Sequence, residues 1–132
     1  MPIRGVRGAT QAASDTSEAI RDATRELLLR LVELNDIKAD DVASIFFTCT
    51  ADLTTEYPAI TARQLGWVET PLMCGQEMNV PGSLPRCIRV LVHWNTDLEQ
   101  RQVRHAYLRG AVALRPDLTA ANGYRSTKPP EA

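Results

Sequence analysis

The sequence predicts an α+β fold, a β-sheet of about five strands with one long helix packed on it. Cys87–Asn95 alternates, with Ile88, Val90, Val92 and Trp94 on one face and Cys87, Arg89, Leu91, His93 and Asn95 on the other. Ile20, Ala23, Leu27, Leu31 and Leu34 recur at helical spacing and form one apolar stripe. Shorter β-type runs at Ile3–Thr10, Val42–Thr50 and Pro71–Gln76 supply further strands.

The chain has 132 residues, 44% of them hydrophobic and 23% charged, an ordinary composition for one globular domain. A formal net charge of −1 gives no reason to expect nucleic acid or an anionic membrane as partner. No apolar run approaches a membrane-spanning length, and MPIRGVRGAT lacks the apolar core of a signal peptide. Cys49, Cys74 and Cys87 are odd in number and without CxxC spacing, and only His93 and His105 accompany them. No zinc site is expected, and a reduced, cytoplasmic setting fits best.

In Ile3–Thr10, Ile3, Gly5, Arg7 and Ala9 share one face, and Arg4, Val6, Gly8 and Thr10 the other. Glycines inside a strand mark close approach by a ligand or a second backbone. With two arginines between them, this is either an anion-facing strand or an edge strand blunted by solvated charge. Ser14–Ser17 supplies N-cap candidates, with Glu18 in the first helical turn. The helix that follows carries Arg21, Asp22, Arg25, Glu26, Arg30 and Glu33 away from its stripe, with Glu26 and Arg30 as a favourable i,i+4 pair. That charged face reads as solvated, and Asn35-Asp36 closes the helix.

Val42–Thr50 holds the run Ile45-Phe46-Phe47, which predicts an inner strand covered on both faces. Tyr57–Leu65 forms a short helix with Pro58 in its first turn and Arg63 projecting, and Gly66 ends it. Pro71–Gln76 is a strand holding Cys74. Glu77 lies three residues on, so a regular strand puts the two on opposite faces unless Gly75 supplies a bulge. Asn79–Pro85 is rich in turn residues, and Glu99–Arg101 reads as a turn. Gln102–Leu108 fits either a short strand or a helical turn. Ala111–Leu114 is short and apolar, Arg115-Pro116-Asp117 ends the ordered pattern, and Ala120–Ala132 reads as a mobile tail. One amphipathic helix covers one face of the sheet, and nothing left in the chain can cover the other. A second subunit is the simplest cover, so an oligomer is expected.

No nucleophile elbow, HExxH, P-loop or dinucleotide fingerprint is present. His93 and His105 are available as acid–base groups, though a single strand histidine is more often packed or solvated. What recurs beside apolar segments is arginine: Arg4, Arg7, Arg63, Arg89, Arg104 and Arg115. Arg89 sits mid-strand, where a guanidinium either leans into solvent or meets an anion. Arginine forks suit carboxylates, which suggests a small ligand with more than one of them.

IRGVRGAT, ATRELLLRL, CGQEMNVPGSLPRCIRVLV and VRHAYLRGAVALRPDL, in this order, resemble the small monofunctional chorismate mutases of the trimeric, barrel-like class. The resemblance runs from about residue 2 to residue 118. It implies a chorismate mutase domain over residues 1–118, with 119–132 as a flexible C-terminal tail. It implies a mixed β-sheet in each chain and a homotrimer forming a pseudo α/β barrel, with sites between subunits. The implied activity is an isomerase that converts chorismate to prephenate by Claisen rearrangement, in phenylalanine and tyrosine biosynthesis. No metal or cofactor takes part.

By matching position, Arg89 would donate to the ether oxygen of the breaking bond, and Arg7 would hold a carboxylate nearby. Glu77 and Cys74 would take the ring hydroxyl, and Tyr107 the side-chain carboxylate. Arg63 and Arg115 would guard the mouth, and Tyr57 and Leu114 would line the wall. Three positions depart from relatives: Ile60 where lysine is frequent, Met73 (also placed against the substrate) where threonine occurs, and Tyr57 where phenylalanine is usual. Two other readings remain open. One is a non-catalytic trimer that binds small carboxylates through the same arginines. The other is an enamine or imine deaminase, with Glu77 as the water-activating group.

Overall fold

A computed structural model describes residues 1–114. Arg115 and the proposed tail, 119–132, lie outside the described residues. Strands β1 (Ile3–Gln11), β2 (Val42–Cys49), β3 (Leu72–Gln76), β4 (Cys87–Asn95) and β5 (Ala106–Tyr107) form one mixed sheet in the order β3-β2-β4-β1-β5. β4 lies antiparallel between β1 and β2, while the edge strands β3 and β5 run parallel to their neighbours. Helices α1 (Ser17–Asn35) and α2 (Pro58–Gln64) complete the regular structure together with short 3₁₀ segments. No helix among the described residues is long and apolar enough to cross a membrane.

Thr16 caps α1, its hydroxyl accepting from the Ala19 N–H at 3.1 Å, and Asp36 ends it in the left-handed conformation. Ile20, Leu27, Leu28 and Leu31 are fully buried. Each contributes roughly 1.5–3 kcal/mol by leaving water. They meet Val6 of β1, Ile45 and Phe47 of β2, and Ile88, Val90 and Val92 of β4, which form the covered face of the sheet. Gly8 lies under the helix: a Cβ there would stand 2.9 Å from a Leu27 methyl and 3.1 Å from one of Leu31.

The other face is open. Phe46 is 43% exposed and Met73 62%, and Ile3 and Leu91 share their side of the sheet. The expectation that the second strand is covered on both faces is therefore corrected within one chain. β2 is an inner strand, but the helices lie on one side only. The apolar run Ile45-Phe46-Phe47 alternates between core and open face, which period-2 geometry imposes.

Two smaller expectations are also revised. Glu26 does not pair with Arg30, which bonds Glu33 at 2.9 Å instead. Of the two alternatives for Gln102–Leu108 the strand is realised, as the two-residue β5, while the turn expected at Glu99–Arg101 is a 3₁₀ turn over Gln100–Gln102.

Because the space above Gly8 is filled by two leucine methyls and, at 3.3 Å, the Ala106 carbonyl oxygen, Gly8→Ala is expected to lower stability by about 1–3 kcal/mol through overpacking. Urea unfolding of the variant measures this; an unchanged midpoint would show that the helix can lift off β1 at no cost.

Candidate active site

Strand register brings a charged cluster onto the open face. Arg89 is opposite Ala9 on one side and Thr48 on the other, and Ala9 is opposite Tyr107. Tyr107, Ala9, Arg89 and Thr48 therefore form one row across four strands, with their side chains on one face. Arg7 is two residues before Ala9, and so a diagonal neighbour of Arg89 on that face.

Glu77 follows β3, its N–H donating to the Cys49 carbonyl at 2.8 Å. Its carboxylate turns onto the open face, accepts a short hydrogen bond from the Thr48 hydroxyl and stands 3.3 Å from Arg89 Nε. That approach brings the opposite charges together without the geometry of a hydrogen bond. The buried Arg89 Nε–H consequently lacks an acceptor among the described residues. The rest of the guanidinium is accessible, and the side chain is 42% exposed. Cys87 lies against it. Burial pushes the Cys87 thiol up, and the Arg89 charge and hydrogen bond partly oppose that shift.

Arg7 Nε donates to the Tyr107 hydroxyl at 2.5 Å, and its guanidinium lies 5.9 Å from the Tyr107 ring centre. Its backbone N–H donates to His105 Nδ1 at 3.0 Å, so that imidazole nitrogen acts as an acceptor. Arg89, Glu77, Cys87, Leu84 and Leu114 line a cavity of about 330 Å³. Arginine supplies fixed donors here, a carboxylate supplies negative charge, and Leu84 and Leu114 supply apolar walls. This arrangement can bind a compact polycarboxylate and place a cation against one of its oxygens.

The remaining expected residues stand elsewhere in the same chain. β3 pairs with β2 without interruption through Gly75, so no bulge brings Cys74 round to Glu77. Cys74 instead packs against the covered core, where burial raises its thiol pKa, while an Ala59 backbone hydrogen bond and the Arg63 charge partly oppose the rise. With Tyr57, Pro58, Ile60 and Glu56 it lines a separate cavity of about 500 Å³. Tyr57, at the start of α2, is 68% exposed, and Arg63 is in the last turn of α2. The loop leading to Tyr57 is held by Asp15, which accepts from the Thr54 N–H at 2.9 Å and the Thr54 hydroxyl at 2.8 Å, and by the Arg21–Glu56 ion pair at 3.3 Å.

Met73 lies on the open face opposite Phe46. Arg4 is used structurally, donating to the Leu98 carbonyl at 2.9 Å. Arg115 lies outside the described residues. Thr48, Cys87 and Leu84 belong to the cluster but do not stand out in the sequence. Alternation alone placed Cys87 on Arg89's face, whereas Thr48 needs the β2–β4 register, which no local pattern states.

Among the described residues no group of three or more histidine, cysteine or acidic side chains is placed to hold a metal ion. The cysteines are free thiols. Burial, and more weakly the neighbouring thiols and carboxylates, push Cys49 from 9.0 up to about 12. Because the folded pKa is raised, the neutral thiol's contribution to stability is complete below about pH 9 and is lost as pH climbs towards 12. Alkylation at pH 8 is expected to be far slower in the native protein than in urea. Equal rates by mass spectrometry in the two states would contradict this burial.

The model of the family "Chorismate mutase type I" matches residues 3–118. Chorismate mutase AroH of Thermus thermophilus is 55% identical over 120 residues, covering 90% of this chain and 98% of that protein. The protein of the same name from Bacillus subtilis is 46% identical over 120 residues, 90% of this chain and 94% of the relative. A solved chorismate mutase from Clostridium thermocellum superimposes with a TM-score of 0.81 at 46% identity, covering 83% of this chain and 97% of that one. A match across nearly the whole sequence, joined to the same fold, places this chain in the type I chorismate mutase family.

Proposed function

We propose that the protein is a cytoplasmic chorismate mutase of phenylalanine and tyrosine biosynthesis. It isomerises chorismate to prephenate without metal or cofactor, as a homotrimer with sites between neighbouring chains. The observation that carries this reading is the Arg89 Nε–H, buried beside Glu77 and lacking an acceptor among the described residues, on the wall of an open cavity.

In the rearrangement the ether C–O bond breaks as a C–C bond forms, and no proton is transferred. Negative charge grows on the departing ether oxygen and positive charge on the ring. A donor already placed at that oxygen stabilises the transition state more than the substrate, and it needs no reorganisation as the bond parts. Arg89 fills this role. The Glu77 carboxylate faces the ring, offsetting its positive charge and accepting from its hydroxyl. Arg7, aligned by Tyr107, binds a carboxylate near the same oxygen, and Tyr107 takes the side-chain carboxylate. Leu114 closes the wall and holds the flexible arm in a chair-like pose, which converts binding into rate.

The two separated groups of residues support the shared site. Arg89, Glu77, Arg7, Tyr107 and Leu114 form one half. Tyr57, Arg63 and Cys74, on the far side of the β3 edge, form the other, and the open apolar face of the sheet offers the surface on which chains meet. A neighbour brings its second half against the first, with its Cys74 near the ring hydroxyl and Tyr57 and Met73 on the wall. Arg63 stands at the mouth, and the guarding role proposed for Arg115 falls outside the described residues.

Incubation with chorismate, followed by loss of its absorbance, is the direct test, and no prephenate at high protein concentration would rule the activity out. Arg89→Ala is expected to lower kcat by roughly 10²–10³, as for loss of one transition-state donor. Coexpression of Arg89→Ala chains with Arg63→Ala chains should recover activity that neither parent has, since mixed trimers contain intact sites. No recovery in isolated mixed trimers would place both arginines in one chain's site. Removal of residues 119–132 should raise KM more than it lowers kcat, and an unchanged KM would remove the tail from binding.

A further inference from the structure

Two residues of the charged face of α1 reach other parts of the chain, Arg21 to Glu56 and Glu26 to Arg109. Glu26, in mid-helix, takes two hydrogen bonds from Arg109, Nε to Oε1 at 3.0 Å and a terminal nitrogen to Oε2 at 2.9 Å. These partners are 83 residues apart and belong to different layers. α1 covers one face of the sheet. The 3₁₀ segment Arg109–Leu114 lies on the other, with Ala111 buried against Ala9 and Tyr107. Arg109 follows the edge strand β5 and reaches round that edge to the helix.

It does so in the left-handed conformation, with φ of 56°, which a side chain other than glycine adopts at a cost. A strained turn persists where its surroundings over-determine it. The two-pronged pair with Glu26 is one such determinant, and the next residue shows a second. A Cβ on Gly110 would stand 2.1 Å from Gln11 Oε1, so the Gln11 amide lies in the space that the glycine leaves. The other end of the Gln11 amide donates to the Pro85 carbonyl at 3.0 Å. Gln11 thus joins the Arg109–Leu114 segment to the loop that carries Leu84. Leu84 and Leu114 pack beside Ala9, Tyr107 and Ala111, and both line the cavity at Arg89 and Glu77.

We propose that the Glu26–Arg109 pair and the Gln11 side chain are positioning groups for the active site, fixing the C-terminal segment and the loop before β4 so that Leu114 and Leu84 stand as opposed walls beside Arg89. This rests on the site placement proposed above. None of these groups touches the reacting atoms. Loosening them widens the cleft and weakens capture of the substrate, while the Arg89 donor and the Glu77 carboxylate keep their places on the sheet. The effect belongs to KM more than to kcat.

The test compares steady-state constants for chorismate among Glu26→Ala, Arg109→Gly, their double variant, Gln11→Ala and the wild type. Arg109→Gly keeps the left-handed turn at no strain and removes only the pair. Glu26→Ala and Arg109→Gly are each expected to raise KM about two- to fivefold, the range of an exposed ion pair, with kcat changed less than about twofold. The double variant should be no worse than either single one, because one interaction is lost in all three. Gln11→Ala should likewise raise KM. Arg30→Ala, which removes an ion pair elsewhere on α1, should leave both constants unchanged.

A wild-type KM in Glu26→Ala and Arg109→Gly would overturn the proposal. So would KM losses that add in the double variant, or kcat falling in step with thermal stability. Arg89→Ala, run alongside, separates the two readings. Undiminished kcat there removes the site placement itself, whereas a large loss there with unmoved KM in the Glu26 and Arg109 variants removes only the positioning role.

Discussion

A sheet covered on one face by helices organises this molecule. Ile20, Leu27, Leu28 and Leu31 of α1 go to that face, and β1, β2 and β4 answer with Val6, Ile45, Phe47, Ile88, Val90 and Val92. Period-2 geometry then sends every alternate residue of the same strands to the opposite side. Arg7, Arg89 and Thr48 are there because their neighbours in sequence are needed in the core. The register across four strands, rather than any local motif, turns those leftover positions into a row beside Tyr107. The partner of Arg89 in this row, Glu77, approaches from a different strand end without closing a full hydrogen bond to Nε.

The same geometry separates Cys74 from Glu77. They are close in sequence, and β3 carries one to the covered side while the turn after it carries the other to the open side. A single chain cannot unite them without breaking the β2–β3 ladder, which runs unbroken through Gly75. The proposed cleft between chains would resolve this without strain, and it would also cover Phe46, Met73, Leu91 and Ile3, whose exposure is otherwise unfavourable.

Much of this was legible in the sequence. The alternation in Cys87–Asn95 placed Arg89 away from the core before any coordinates, because β4 is regular over its whole length. The apolar stripe gave α1 and its buried face for the same reason. Tyr107 and Leu114 were legible only through resemblance, since β5 is two residues long and a 3₁₀ segment has no extended periodicity to read. Thr48 was missed as a partner of the charged pair because cross-strand neighbours depend on register, whereas alternation already put Cys87 on the face of Arg89. Arg109 gave no signal at all. Its role comes from a left-handed turn and a partner 83 residues away, and the i,i+4 rule pointed Glu26 at Arg30 instead.

The way the last part of the described chain is held explains why such long-range bonds matter. After β4 the chain has almost no ladder of its own; β5 contributes a two-residue pairing with β1. Burial of Val103, Ala106, Tyr107 and Ala111 holds it, and single side-chain bonds add to the anchoring. Asn35, at the end of α1, clasps Arg104 by both its N–H and its carbonyl, each at 2.9 Å. Arg4 holds the Leu98 carbonyl, and His105 accepts from the N–H of Arg7. Each such bond is worth about 0.5–1.5 kcal/mol, far less than the burial that fixes α1 on the sheet. The segment bearing Tyr107 and Leu114 is therefore tied down by a few buried side chains and by such bonds rather than by a long ladder. Polar contacts made from α1 and β1 add to that burial, so residues that never face the cleft carry part of its shape.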